Sequence, residues 1–319
     1  MLSMDLTDHA WTLTLDRGDA PVSIGKLDAE VPGCLHLDLL NHGLIPDPYA
    51  GDNESRLQWI NRCDWTYACT FDVDPELLRK EHVQLHFAML DTVATITLNS
   101  QKLGSVANQH HPHTFDVKDH LRPVGNKLVV TFGSPLDAAE ANEQEYGTLP
   151  HAGHGTNVEH PHNFLRKMSC NMGWDWGPVL MTSGIAGPVD LLAFDTARLE
   201  FVRPLTMDLT DDVAKLDVLC DLIKPGTGAL TLRARLTDPD GNVAAEREVI
   251  STDAHAGVPL EIKQPRKWWP VGQGEQPLYD LHVELLTAAG DLLDSFDCRV
   301  GLRSVRLDQS EDDRGSRFA

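Results

Sequence analysis

Short runs in which apolar and polar residues alternate dominate the chain, each closed by Gly, Pro, Asn or Asp. Trp65 to Val73, Val83 to Phe87, Val93 to Leu98, Lys127 to Phe132 and Val189 to Phe194 have this form. A period of two predicts strands with one buried face, paired antiparallel. One short helix is predicted over Leu35 to Asn41, where Leu35, Leu39 and Leu40 share a face and Gly43 supplies a stop. The Pro46, Pro48, Gly51 and Asn53 stretch after it predicts a loop. A second rhythm begins near Ala197. Arg198 to Leu209, Val213 to Ile223, Gly228 to Thr237, Asn242 to Ser251, Gly257 to Ile262, Leu278 to Thr287 and Asp291 to Val300 predict about seven strands, as an immunoglobulin-like sandwich requires. Lys224-Pro225-Gly226 and Asp238-Pro239-Asp240-Gly241 are the turns between them. Less regular strands and longer loops before residue 197 predict a jelly roll. The expected architecture is all-β: a jelly-roll β-sandwich over 1–196, an immunoglobulin-like β-sandwich over 197–303, and a charged linker over 304–319.

Ser134 to Pro178 breaks the pattern. Forty-five residues without clean periodicity are unusual inside a compact domain, and such stretches are functional or disordered. This one ends in Gly173-Trp174-Asp175-Trp176-Gly177-Pro178, which holds two of the seven tryptophans, and disorder avoids that much aromatic surface. An exposed Trp-Asp-Trp suits sugar recognition, because an indole face packs on the C–H patches of a pyranose while a carboxylate accepts from its hydroxyls. In an extended segment Trp174 and Trp176 would oppose Asp175; a turn, which Gly173 and Gly177 permit, brings all three together. The competing reading makes both indoles plugs of the sandwich core and Asp175 a turn cap. A second aromatic block, Lys267-Trp268-Trp269-Pro270 through Pro277, is expected to be an interdomain packing knot rather than a ligand site.

Composition narrows the chemistry. A length of 319 residues suits two or three domains, and 27 Lys+Arg against 48 Asp+Glu give a net charge of −21. A field of that sign repels phosphate backbones and anionic lipid, so nucleic acid and membrane surfaces are excluded as partners and a neutral or cationic small ligand is favoured. Met1 to Leu15 has neither a basic n-region nor an apolar run for export, and no stretch approaches the roughly 20 apolar residues of a membrane span. Six irregularly spaced cysteines without a C-x-x-C pair fit a reduced, cytoplasmic protein, with Cys63–Cys69 the nearest candidate disulfide. His110, His111, His113, His151, His154, His160 and His162 invite a metal, but they lie in Gly- and Pro-rich sequence with no cysteine pair, so solvated histidines are expected and no metal or cofactor is assigned. Glycoside cleavage needs two placed carboxylates; the Asn53-Glu54 and Asn142-Glu143 dipeptides are too short a signal to supply them. A nucleophile elbow, a P-loop and a dinucleotide fingerprint are all absent, so no self-contained active site is legible.

Taken in order, Val31-Pro32-Gly33, Gly43-Leu44-Ile45-Pro46-Asp47-Pro48, Gly51-Asp52-Asn53-Glu54 with Leu57-Gln58-Trp59-Ile60, and Asp64-Trp65 form a collinear set. It continues through Leu90-Asp91-Thr92-Val93-Ala94, Arg166-Lys167, Gly173 to Pro178, Trp268-Trp269-Pro270 with Gly274 to Tyr279, and Val300-Gly301-Leu302-Arg303. In this order the chain resembles the N-terminal part of the β-mannosidases of glycoside hydrolase family 2 over nearly its whole length. The resemblance implies a galactose-binding-like jelly roll, an immunoglobulin-like domain, and then a (β/α)8 barrel, here expected beyond Phe318, that carries the acid/base and nucleophile glutamates. It implies no catalytic residue in this chain. It also implies that Trp174, Asp175 and Trp176 reach toward the barrel and help hold a terminal mannose. The expected ligands are β-mannosides or manno-oligosaccharides, and the expected partner is the chain's own barrel. Three departures leave the sugar preference open: Gly184-Ile185-Ala186-Gly187-Pro188 lacks the aromatic usual near Ile185, Ser169 to Met172 lacks one often found before Gly173, and the His-rich 151–162 is foreign to the family. A stand-alone carbohydrate-binding module and a structural adaptor without hydrolase activity are the alternatives.

Overall fold

The computed structural model describes residues 1–150, 162–313 and 315–316. It divides into two compact units, Leu2–Ala193 and Phe194–Ala319 together with Met1. The elements of the first are β1 (Leu2–Asp5), β2 (Trp11–Arg17), β3 (Leu27–Ala29), α1 (Leu35–Asn41), α2 (Asn53–Arg56), β4 (Asp64–Phe71), α3 (Pro75–Arg79), β5 (His82–Phe87), β6 (Leu90–Asp91), β7 (Val93–Leu98), β8 (Gln101–Ala107), β9 (His113–Asp116), β10 (Asn126–Phe132), α4 (Pro135–Tyr146), β11 (Met172–Trp174), β12 (Gly177–Val179), β13 (Gly184–Ile185) and β14 (Val189–Phe194). A six-stranded sheet in the order β3-β2-β4-β10-β7-β8 faces a four-stranded sheet in the order β1-β14-β5-β9. Alternate residues of both sheets meet in one core, in which Trp11, Trp65, Tyr67, Phe87 and Phe132 are fully buried. Tyr67 and Phe132 pack edge to face at 5.7 Å. This is the expected sandwich, with β7 and β14 on the residues their alternation marks.

The second unit holds β15 (Arg198–Leu209), β16 (Val213–Ile223), β17 (Leu230–Thr237), β18 (Val243–Ser251), β19 (His255–Lys263), β20 (Tyr279–Thr287) and β21 (Leu292–Val300). They form two antiparallel sheets, β15-β16-β19 and β18-β17-β20-β21, around a separate core that includes Leu216, Val218, Leu232, Val258, Val283 and Leu285. Seven strands split three and four form the expected immunoglobulin-like sandwich. The segment expected to be a linker carries one small pairing, Glu311–Asp312 with Gly315–Ser316. Among the described residues no helix is long and apolar enough to cross a membrane.

Helices are where the structure departs from the pattern. The stretch from Ser134 to Pro178 contains α4, twelve residues long, and two short 3-10 turns at His162–Phe164 and Ser169–Asn171. Ser134 caps α4 by accepting the Asp137 N–H at 3.0 Å, and Pro135 sits in its first turn. Leu136 and Ala139 are its buried apolar residues beside Pro135, too few to show a helical period in the sequence. Helix α3 is likewise started by Asp74, whose carboxylate accepts the Glu76 N–H at 2.8 Å. All six cysteines are free thiols, Cys63 and Cys69 included.

One edge of the first sandwich encloses polar groups. Lys167, its side chain 1% exposed, donates from Nζ to an Asp91 oxygen, to the Thr182 carbonyl at 2.8 Å and to the Thr182 hydroxyl at 3.1 Å. Thr182 in turn donates to the other Asp91 oxygen at 2.6 Å, and Thr92 donates to the first. A buried charge paired this fully is specified geometrically, and removing one partner would strand the other. Next to this pair His36 of α1 is buried, with neither ring nitrogen hydrogen-bonded among the described residues. Burial, helped by the Lys167 charge and opposed by Asp91, pushes its pKa down to about 4. Gly184 follows Thr182 and Ser183 with φ +157°, and a Cβ there would stand 2.7 Å from the Gly33 carbonyl oxygen and 2.9 Å from the Cys34 Cα.

Two outcomes follow from these groups. Because His36 resists protonation only when folded, its unfolded form takes up a proton as pH falls below about 6.5. The contribution of His36 to stability should therefore drop by about 3 kcal/mol between pH 6.5 and pH 4, and His36→Leu should lose that part of the slope in urea unfolding across the range. Gly184→Ala should destabilise by at least about 2 kcal/mol in the same assay, because the atoms it meets are backbone and cannot move aside.

Candidate functional site

Sequence places Trp174, Asp175 and Trp176 in one segment, and the structure bends that segment into a hairpin. Strands β11 and β12 pair Met172 with Val179 and Trp174 with Gly177, leaving Asp175 and Trp176 as a two-residue turn. Gly173 takes φ +94°, which a residue with a Cβ resists; Gly177 keeps a negative φ. The turn relieves the opposition expected of an extended strand. The two indoles lie 6.1 Å apart between ring centroids at 37° to each other, with Asp175 exposed between them in sequence. Trp176 is 72% exposed and Trp174 36%, so neither is a core plug.

The base of the hairpin is dry. Met172 and Val179 are buried with Met181 and Leu136 of α4, with Leu165 against them, in a small cluster separate from the two sandwich cores. The segment leading into it is tied at several points. Asn142 of α4 donates to the Phe164 carbonyl at 3.1 Å, Gln109 donates its N–H to the Arg166 carbonyl at 2.9 Å, and Met168 N–H donates to the Gln109 side chain at 3.1 Å. Between them Lys167 makes the buried contacts to Asp91 and Thr182. The outgoing strand is held by Glu54 and Gln58. The Glu54 carboxylate accepts the Val179 N–H at 2.8 Å, and Gln58 Nε2 donates to the Val179 carbonyl at 2.9 Å. Sequence reading placed Glu54 and Gln58 in the collinear set, and Asn53-Glu54 also as a weak carboxylate dipeptide, but gave neither side chain a structural role. In the structure Glu54 serves the hairpin backbone, and the Asn of the second dipeptide, Asn142, ties α4 to the incoming segment.

The other candidates lie elsewhere. His113 Nε2 bonds the Asn108 carbonyl at 2.8 Å and His111 Nδ1 the Pro112 carbonyl at 2.7 Å, with the two rings 4.5 Å apart. Burial pushes the His113 pKa down. Among the described residues no three His, Cys, Asp or Glu side chains converge as metal ligands; His151, His154, His160 and the side chain of His162 lie outside the described residues. In the second unit Trp268 is covered by the Arg303 guanidinium at 4.9 Å and closely approached by Gly301, while Trp269 packs on Gly274 and stays 48% exposed. Ile185, where the family aromatic was expected, is fully buried and pairs with Leu90.

What this arrangement can do is set by its surface: two tilted indole faces and a carboxylate at the tip of a firmly anchored hairpin. Such a tip offers apolar stacking and hydrogen-bond acceptance side by side, the combination a pyranose ring presents in complement.

Residues 11–187 match the family described as glycosyl hydrolase 2 galactose-binding domain-like, and residues 203–303 match glycosyl hydrolases family 2. The chain is 34% identical over 304 residues to β-mannosidase B of Thermothelomyces thermophilus, covering 95% of this chain and 34% of that protein. It is 29% identical to the β-mannosidase of Capra hircus, over 88% of this chain and 33% of that one. The crystal structure of the β-D-mannosidase from Dictyoglomus thermophilum superposes with a TM-score of 0.86 at 34% identity, over 100% of this chain and 38% of that chain. The chain thus spans about a third of the length of these relatives. With a galactose-binding-like sandwich followed by an immunoglobulin-like one, both matched, it belongs to glycoside hydrolase family 2.

Proposed function

We propose that this chain is the N-terminal, two-domain part of a retaining β-mannosidase that removes terminal, non-reducing β-D-mannose residues, and that its Trp174–Asp175–Trp176 turn forms one wall of the pocket for that sugar. The observation that carries the reading is the exposed pair of indoles flanking a carboxylate on a hairpin whose base is buried and clamped. The similarity to β-mannosidases along nearly the whole chain supports the sugar, and the net charge of −21 is compatible with a neutral substrate.

In this reading the chemistry is divided. A catalytic barrel outside these residues supplies the proton donor and the nucleophile, two carboxylates about 5 to 5.5 Å apart in a retaining enzyme. The turn supplies orientation and excludes water. An indole stacked on the sugar fixes the ring plane, and Asp175, accepting from a hydroxyl, fixes its rotation. Both contacts accelerate the reaction only as far as they favour the flattened, cation-like ring over the resting chair.

The 319-residue chain alone should show no turnover of an aryl β-mannoside, and measurable turnover would overturn the proposal. In the intact enzyme Trp176→Ala should lower kcat/KM for that substrate about 30-fold, the loss typical of a buried aromatic anchor. Asp175→Asn should lower it by about 10-fold or more, since a charge-assisted hydrogen bond to the sugar is replaced by a neutral one.

A further inference from the structure

The turn stands at the end of a two-stranded ribbon, and among the described residues no third strand joins it. Such ribbons are marginal by themselves. Its register partner pair at the base, Met172 and Val179, is buried, so the main-chain groups of Val179 need protein partners. Two side chains provide both of them. Glu54 accepts the N–H and Gln58 donates to the carbonyl, from a segment 125 and 121 residues earlier in the chain.

The clamp is itself fixed. Gln58 Nε2 also donates to the Glu54 carbonyl at 2.8 Å, and Gln58 Oε1 accepts from Asn61 at 2.8 Å, with Asn61 2% exposed. With both ends of its amide engaged, Gln58 has one orientation, and the Glu54 side chain accepts from the same residue of the strand. Side chains thereby replace the missing neighbouring strand at the point where the ribbon enters the fold.

From this we infer that Glu54 and Gln58 are positioning residues of the Trp174–Asp175–Trp176 turn: they touch no sugar and set where the indoles stand. The inference deepens the proposed function and rests on the turn being a pocket wall. Its chemical consequence is a division between accepting and charge. Any side chain of the length of Glu that accepts from the Val179 N–H serves at position 54, whereas a short apolar one leaves that N–H buried without an acceptor and lets the ribbon swing.

The test uses the intact enzyme carrying 5-fluorotryptophan, with the 19F resonances of Trp174 and Trp176 assigned by Trp174→Phe and Trp176→Phe. Glu54→Ala should shift or broaden these two resonances, leave those of Trp11 and Trp65 in place, and lower kcat/KM for an aryl β-mannoside about 10- to 100-fold, as a displacement near 1 Å does. Glu54→Gln, which still accepts, should restore the resonances and come within about 3-fold of the parent enzyme. If Glu54→Ala does not fold, Gln58→Ala is read in its place, with the same two resonances and a smaller loss. Unchanged turn resonances together with unchanged kcat/KM would overturn the inference, even if the melting temperature fell. Should Trp176→Ala leave kcat/KM intact while Glu54→Ala still moves the resonances, the positioning stands and the pocket reading fails.

Discussion

An aromatic surface kept in water has to be paid for beneath it, and in this protein that support is the engagement of the Val179 main chain by Glu54 and Gln58 over the Met172–Val179 base. Without it the hairpin would be two three-residue strands with a bulky, exposed tip, too little buried surface to hold any one position. The sandwich below provides a stiff platform. Its large aromatic core locks the strands, and Tyr67, buried in that core, donates at 2.8 Å to Asp38 of α1, fixing the helix that also carries His36. The Lys167–Asp91–Thr182 set then ties the incoming strand of the hairpin to the segment that leaves it, since Lys167 precedes β11 and Thr182 follows β12. The site is held from both ends of its own chain segment.

The strands were legible because they depend on a local quantity. Val93–Leu98 and Val213–Ile223 alternate cleanly, and burial follows that alternation residue by residue. Helix α1 was legible for the same reason, Leu35 and Leu39 falling on its buried face while Leu37 is exposed. Helix α4 was not, because it lies on the surface with few apolar contacts and takes its start from a Ser-Pro cap rather than from a periodic face. Part of the candidate site could be read from composition alone: two tryptophans around an aspartate between glycines announced an unusual element. Whether the indoles pointed into the core or out of it could not be read, since that depends on Gly173 accepting a positive φ and on a two-residue turn.

The supporting residues were hidden for a different reason. Glu54, Gln58, Asp91, Lys167 and Thr182 are ordinary polar residues in sequence, and their significance lies only in whom they meet across the fold. His36 is the sharpest case, a histidine in an amphipathic helix that looks like a solvated position and is instead buried beside a charge pair. The blocks Gly51 to Ile60, Leu90 to Ala94 and Arg166-Lys167 meet around the hairpin: Glu54 and Gln58 bond the Val179 main chain, and Lys167 bonds Asp91 and Thr182.

Those partners also impose an order of assembly. Glu54 and Val179 are 125 residues apart, with most of the sandwich strands between them. Closing a loop of that length loses chain entropy that only the completed sheets can offset, so the tip acquires its shape after the sandwich beneath it has condensed.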